Sequence, residues 1–150
     1  MFTKAKRSQV MSCVRGHGNK TTELRLIAVF RAYSIKGWMR RRQLFGKPDF
    51  VFPRLRVAVF VDGCFWHGCP RHGTQPKQNA AFWHDKIARN KARDHLVVRT
   101  LRAKHWRVLR IWEHELHPKN EKRLLARLQR ALGHDRLTAE ETPHASADFP

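Results

Sequence analysis

Acidic side chains are scarce in this 150-residue chain, where 12 Asp and Glu stand against 31 Lys and Arg, a formal charge of +19 at pH 7. A balance so far from neutral leaves two readings, a merely soluble cationic surface or a polyanion partner. The second is favoured because Arg, which predominates, presents a planar fork of donors matched to phosphate, and dense positive potential raises the encounter rate with nucleic acid. Cysteine is also sparse. Cys13, Cys64 and Cys69 are too few for a disulfide framework, and in a reducing compartment a close pair suits a metal better than a disulfide. No run approaches the roughly 18 apolar residues of a membrane span, and the opening MFTKAKRSQV lacks the apolar core of a secretory signal, so a cytosolic location and no membrane partner are expected. Internal repeats are absent. The length and a hydrophobic fraction of 41% suit one domain with a real core.

Residues 1 to 48 contain a single acid, Glu23, and are the segment most suited to lie along phosphates, with Arg7, Arg15, Arg40, Arg41 and Arg42 as candidate backbone contacts. Asn19 to Thr22 offers cap residues, and the apolar spacing of Leu24, Ile27 and Ala28, widened by Leu26, Val29, Phe30 and Tyr33, predicts a helix from about Thr22 to Tyr33. Trp38 to Arg42 suits a strand. DFVF and RVAVFV form a clearer pair, joined through Pro53, Arg54 and Leu55. A turn centred near Leu55 would place Asp49 opposite residues 60 to 61, so that Asp49 and Asp62 converge at one end of a sheet whose central strand is Val57 to Val61. Phe82 to Ala103 reads as a long charged helix with apolar Trp83, Ile87, Leu96, Val97 and Leu101, followed by a strand from Trp106 to Trp112. Asn120 is placed to cap a last helix carrying Leu124, Leu125, Leu128 and Leu132, which Gly133 ends. Residues 134–150 lack apolar periodicity and read as a loose tail after a single domain over 1–133. The order predicts an α/β sandwich with a mixed sheet.

Chemistry concentrates in VFVDGCFWHGCPRH, residues 59–72. Asp49 at the head of one strand and Asp62 at the end of the next can hold a hard divalent cation such as Mg²⁺, which takes one or two carboxylates and fills its remaining positions with water and phosphate. PD, twelve residues and an acid make a PD-(D/E)xK-like pattern, although a Pro-Asp pair is also a common turn and the usual lysine position is Cys64. His67 can take a proton from water near neutral pH in that lysine's stead, or serve as a metal ligand, and Asp94 can orient its ring or form a surface ion pair. Cys64, Cys69 and His72 supply three zinc ligands within one loop. His114, in WEHEL, is the best distant fourth, and four protein ligands would make the site structural; buried free thiols are the alternative. Phe65 and Trp66, with Trp83 near the start of the long helix, suit a wedge between base pairs, whereas core packing competes for Trp83 and Trp112.

GKPDFVF, VFVDGCFWHGCPRH, FWHDKIARNKARD and WRVLRIWEHEL occur in one collinear order over about residues 4 to 117, and together they resemble the very-short-patch repair (Vsr) DNA mismatch endonucleases. The resemblance implies a fold like type II restriction endonucleases, with a mixed central sheet flanked by helices and a structural zinc loop. It further implies a Mg²⁺-dependent enzyme, acting as a monomer in the bacterial cytoplasm at the nucleoid, that nicks one strand 5′ to the thymine of a T:G mismatch left by deaminated 5-methylcytosine. Other mismatch-repair proteins are implied partners. By motif, Asp49 resembles the metal-binding carboxylate, the Val61 carbonyl a second metal ligand, His67 the general base, and Asp94 and Glu23 its supporting acids. Phe65, Trp66 and Trp83 resemble the wedge, and Met11 a residue pressed into the opposite groove. The chain departs from the family in two places: some members have histidine where Asp62 stands, and some arrange the zinc ligands differently, with a later cysteine in place of His114. Two other readings suit the same residues, a restriction-type or junction nuclease on the same fold and a non-catalytic zinc-stabilised DNA-binding module.

Overall fold

Alternation of apolar side chains along the central hairpin creates a sheet with two buried faces. In the computed structural model, which describes residues 22–133, strand β2 (Phe50–Phe52) runs antiparallel to β3 (Val57–Asp62), with Phe50 opposite Val59, Val51 opposite Ala58 and Phe52 opposite Val57. A 3₁₀ turn, Pro53–Leu55, joins them, and Arg56 leaves it in the left-handed region at φ 52°. Extended by one residue, the register sets Asp49 across from Phe60, as the sequence predicts. Strand β1 (Met39–Arg40) pairs antiparallel with β2, and β4 (Arg107–Trp112) pairs parallel with β3, giving the order β1-β2-β3-β4. The predicted strand from Trp38 to Arg42 is cut to two residues. Arg41 turns out of the extended conformation at φ 55°, and the Trp38 ring packs with Phe30 and Phe50.

Helices α1 (Glu23–Ala32) and α3 (Glu121–Leu132) cover one face, joining Leu26, Ile27 and Phe30, and Leu124, Leu128 and Leu132, to Phe50, Phe52, Val57, Val59, Leu109 and Ile111. Phe30 meets the rings of Trp38, Phe50 and Phe52 at centroid distances of 5.3 to 5.7 Å, and each such pair contributes about 0.5–1.5 kcal/mol beyond area burial. Helix α2 (Ala80–Ala103) crosses the other face, where Val97 and Leu101 pack on Ala58 and Phe60. Its first half reaches past the sheet to the loop after β3, while Leu96, offset around the helix from Val97, remains exposed.

Two details depart from or add to the sequence reading. Asn120 does not cap α3 through its side chain; its amide donates to the His114 carbonyl at 2.7 Å and ties the helix entry to the turn after β4. At the sheet's edge, the Trp112 N–H donates to Glu115 Oε2 at 2.8 Å and Arg127 Nη2 donates to the Arg110 carbonyl at 2.8 Å, while Glu115 and Arg127 form an ion pair. No helix among the described residues is long and apolar enough to cross a membrane. Arg7, Met11, Cys13, Arg15 and the predicted tail at 134–150 lie outside the described residues.

Candidate active site and metal centre

The start of β2 and the end of β3 bring Asp49 and Asp62 to one end of the sheet, as the sequence predicts, but each carboxylate takes its own hydrogen-bond partners. Asp49 Oδ2 accepts the Val61 N–H at 2.7 Å. Within an extended strand the N–H and C=O of one residue point to the same side, so the Val61 carbonyl is turned toward the Asp49 side as well. Glu23, buried in the first turn of α1, hydrogen-bonds with Asp49 and accepts from Arg40 Nη2 at 2.6 Å. Burial raises the Asp49 carboxyl and the charges of Glu23 and Asp62 raise it further; together they outweigh the Val61 N–H and push it up to about 7. Hard oxygen donors crowded until one is forced toward neutrality form a donor set suited to a divalent cation, whose charge would relieve the repulsion.

Asp62 is engaged elsewhere. Both of its oxygens accept from Arg110, Oδ2 from Nε and Oδ1 from Nη2, each at 2.6 Å. The same Arg110 Nη2 lies 3.0 Å from Asp94 Oδ1, and Asp94 Oδ2 lies 2.6 Å from His67 Nδ1. Asp62 Oδ1 is 3.8 Å from that nitrogen. Burial alone would raise Asp94, but the hydrogen bond and charge of His67 and the charges of Arg110 and Arg93 outweigh it and hold the carboxyl below its ordinary value. Arg110 pays a desolvation cost in the opposite sense, which Asp62 and Asp94 overcome, so its guanidinium is held more firmly protonated. The result is a charged chain, Asp62–Arg110–Asp94–His67, that fixes the imidazole through Nδ1 and leaves Nε2 for proton transfer.

The loop that follows β3 is tightly wound: the His67 N–H donates to the Gly63 carbonyl and the Cys69 N–H to the Cys64 carbonyl. Gly68 lets it lie against α2. Its φ is +63°, and an added Cβ would sit 2.5 Å from Lys91 Cε and 2.9 Å from Ile87 Cγ2. Cys64, Cys69, His72 and His114 meet with all ligand atoms within 4.8 Å of one another. Cys64 Sγ is 3.3 Å and Cys69 Sγ 3.7 Å from His114 Nδ1, close to the edges of about 3.3–3.8 Å expected for a tetrahedron of Zn–N and Zn–S bonds. Burial raises the Cys64 thiol, with Cys69 adding to the effect, and burial together with His72 lowers His114, which favours the neutral imidazole a metal requires. The four residues proposed from spacing are therefore assembled.

Next to this centre, Phe65, Trp66 and Trp83 form a half-buried triad of edge-on rings with centroids 5.2 to 5.9 Å apart. Asn90 of α2 pins the loop by donating to the Trp66 carbonyl at 2.8 Å. Exposed Phe82 extends the cluster at 5.3 Å from Trp83, and Lys86 Nζ lies 5.3 to 5.8 Å from the rings of Trp66, Phe82 and Trp83.

Residues 1–72 match the family described as DNA mismatch endonuclease Vsr. The type II nicking enzyme V.NmeDIP of Neisseria meningitidis serogroup C is 38% identical over 117 residues, covering 77% of this chain and 78% of that protein. The chain belongs to the Vsr family. The DNA mismatch endonuclease Vsr of Escherichia coli K12 is 32% identical over 73% of this chain and 70% of its own. The type II nicking enzyme V.NaeI of Lentzea aerocolonigenes is 56% identical over 69 residues, 46% of this chain and 42% of its own. As a Vsr-family member the chain is a DNA endonuclease, and its mixed four-stranded sheet with flanking helices is compatible with that assignment.

In this Vsr-family chain the structure groups Asp49 with Glu23 and Val61, and His67 with Asp94 and Asp62. Two candidates are displaced: Glu23, expected to support His67, stands instead beside Asp49, and Arg40, predicted to touch DNA phosphates with Arg41 and Arg42, turns inward to Glu23 and lies 6.0 Å over the Phe50 ring, while Arg41 and Arg42 stay exposed. Buried Glu23 requires a counter-charge, and Arg40 is the strand residue that supplies it. Sequence reasoning missed Arg110, although an arginine within the alternation WRVLRIW was a signal that one basic side chain had a partner to find inside. Phe82, Lys86 and Asn90 were missed too, because three residues on successive turns of a charged helix carry no signature of their own.

Proposed function

We infer that this endonuclease nicks one strand of duplex DNA 5′ to the thymine of a T:G mismatch, by Mg²⁺-dependent phosphodiester hydrolysis in very short patch repair, with zinc at the Cys64, Cys69, His72 and His114 quartet. The observation that carries the reading is the seating of Phe65 and Trp66 immediately before His67 on one tightly wound loop, with Trp83 against them. The groups that would enter a base step and the group that would activate water are held by one rigid segment. A mismatch costs less to open than a paired step, so deformability itself can discriminate.

Mg²⁺ held by Asp49 and the Val61 carbonyl would supply positive charge against the phosphate and the leaving oxygen. The chain's own residues do the remaining work. His67, fixed through Nδ1, takes a proton at Nε2 from the attacking water, and Asp94 stabilises the imidazolium that forms. Arg110 keeps Asp94 ionised and neutralises Asp62, which shapes the site without competing for the metal. Glu23, tied to Arg40, braces Asp49. Zinc would fix the loop and leave no position open to substrate. Exposed Arg41 and Arg42, with Arg7 and Arg15, would follow the backbone while Met11 enters the opposite groove. The enzyme would act as a monomer in the bacterial cytoplasm at the nucleoid, alongside other repair proteins.

The relatives named as type II nicking enzymes favour a second reading, in which a matched sequence is nicked. Nicking of T:G and T:A duplexes of one sequence separates the two. The first reading expects cleavage of T:G well above T:A, and expects Trp66→Ala to suppress T:G nicking by about one to two orders of magnitude, since stacking on a base is worth roughly 1–3 kcal/mol. That loss should shrink on a duplex with an abasic site beside the thymine. Equal cleavage of T:G and T:A would remove the mismatch reading and favour the restriction-type one.

A further inference from the structure

Because β3 and β4 are parallel, both end at the Asp62 pole and both begin at the opposite one, about 17 Å away along a six-residue strand. The β2–β3 turn lies at that second pole too. Two segments meet there, residues 53–56 and 104–107, and they are knit together by one side chain. Arg56 Nη2 donates to the Lys104 carbonyl at 2.7 Å and Nε to the His105 carbonyl at 3.3 Å, the Arg107 N–H donates to the Arg56 carbonyl at 2.8 Å, and the Arg56 guanidinium lies 5.1 Å from the centre of the Trp106 ring.

With Arg56 engaged in holding the backbone, Arg54, Lys104, His105 and Arg107 on these two segments and Arg102 in the last turn of α2 are exposed. No acid occurs from Phe50 to Val61 or from His95 to Trp112, so neither contributing segment offers these cations a carboxylate of its own. The backbone here is also strained. Arg56 at φ 52° and His105 at φ 60° both occupy the left-handed region, where Gly or Asn would cost less, and such conformations persist where surrounding structure over-determines them.

We propose that this pole is a second DNA-binding surface, which takes the phosphate backbone of another duplex segment while the catalytic pole holds the first. The catalytic machinery and the aromatic triad lie at the other ends of the same strands, so a duplex seated there leaves this surface facing away. The chemistry fits a regularly spaced polyanion: several exposed cations on a rigid platform and no apolar anchor aimed at a base. A repair enzyme built this way transfers between DNA segments through a doubly bound state without first returning to free solution.

The test measures dissociation of the full-length protein from a labelled, fully matched duplex without Mg²⁺, as a function of unlabelled matched competitor. Matched DNA makes the outcome independent of mismatch recognition. Wild-type dissociation should accelerate in proportion to competitor. In the quadruple variant Arg54→Gln, Arg102→Gln, Lys104→Gln and Arg107→Gln the competitor dependence should fall at least about ten-fold, a loss in the range set by electrostatic steering. The rate extrapolated to zero competitor, and nicking of a short T:G duplex, should stay within about two-fold because the catalytic pole is untouched. A double variant, Arg54→Gln with Lys104→Gln, should give an intermediate slope and guards against misfolding of the quadruple. A wild-type rate independent of competitor, or a full slope retained in both variants, overturns the proposal.

Discussion

Replacing Asp49 by Asn should make the metal-free protein more stable at pH 8 while eliminating nicking. Asp49 is held up at about 7 against an ordinary value of 3.8, through burial first and then the charges of Glu23 and Asp62. A carboxyl whose folded value is raised contributes stability that is fully present below its unfolded value and is lost as pH rises through the folded one. The wild-type protein therefore loses stability between about pH 4 and pH 7. Roughly three units at 1.36 kcal/mol each sets a ceiling near 4 kcal/mol. Asn keeps an acceptor for the Val61 N–H and offers Glu23 a donor, so we expect it to recover about 1–3 kcal/mol at pH 8, a rise in Tm of several degrees for a domain of this size. Thermal melts of both proteins at about pH 3 and pH 8 should show the difference almost entirely at pH 8. Added Mg²⁺ should raise the wild-type Tm and leave the Asn variant unmoved. A variant no more stable than wild type at pH 8 would refute the electrostatic account, and equal Mg²⁺ stabilisation of both would remove the metal from Asp49.

Asp94→Asn should lower kcat by about two orders of magnitude or more with duplex affinity within a few-fold, because an amide neither holds the required tautomer nor stabilises imidazolium; single-turnover nicking with a separate binding titration resolves the two. Arg110→Met should cost about 3–5 kcal/mol in denaturant melts by leaving Asp62 buried without its counter-charge, and the double variant with Asp62→Leu should recover much of that loss. Cys69→Ala or His114→Ala should eliminate the one equivalent of zinc expected in the wild-type protein and lower stability more than it alters the catalytic parameters of the remaining folded enzyme; metal analysis beside thermal melts checks this.

The hairpin was legible because its two strands are short, strongly apolar and joined by a proline turn, so counting residues away from that turn was enough to place Asp49 across from residue 60. The Cys/His quartet was legible for a related reason: three ligands fall within one loop, and His114 sits in the turn just after a strand parallel to the one that feeds that loop. The acids were harder. Their partners depend on which face of the sheet each side chain takes, and Arg110 reaches Asp62 and Asp94 only because β4 lies beside β3, a pairing that local pattern does not specify. Arg40 illustrates the same limit, since a run of three arginines reads as one surface until a buried glutamate claims one of them. Asn120 had the chemistry of a cap but a closer acceptor in the His114 carbonyl, and β1 was shortened by a backbone reversal at Arg41 that no residue type announced.

The ion pair at the margin of β4 has a bearing on colloidal behaviour. An outermost strand with unclaimed main-chain groups is a template on which a second molecule can build, and strands of alternating bulky residues such as WRVLRIW are good templates. Glu115 and Arg127 occupy two of those groups themselves, one on the Trp112 N–H and one on the Arg110 carbonyl. Since Arg127 belongs to α3, its half of the stopper leaves with the helix. Any event that peels this helix from the sheet also uncovers a sticky edge, so resistance to fibrous association is only as durable as the docking of the last helix.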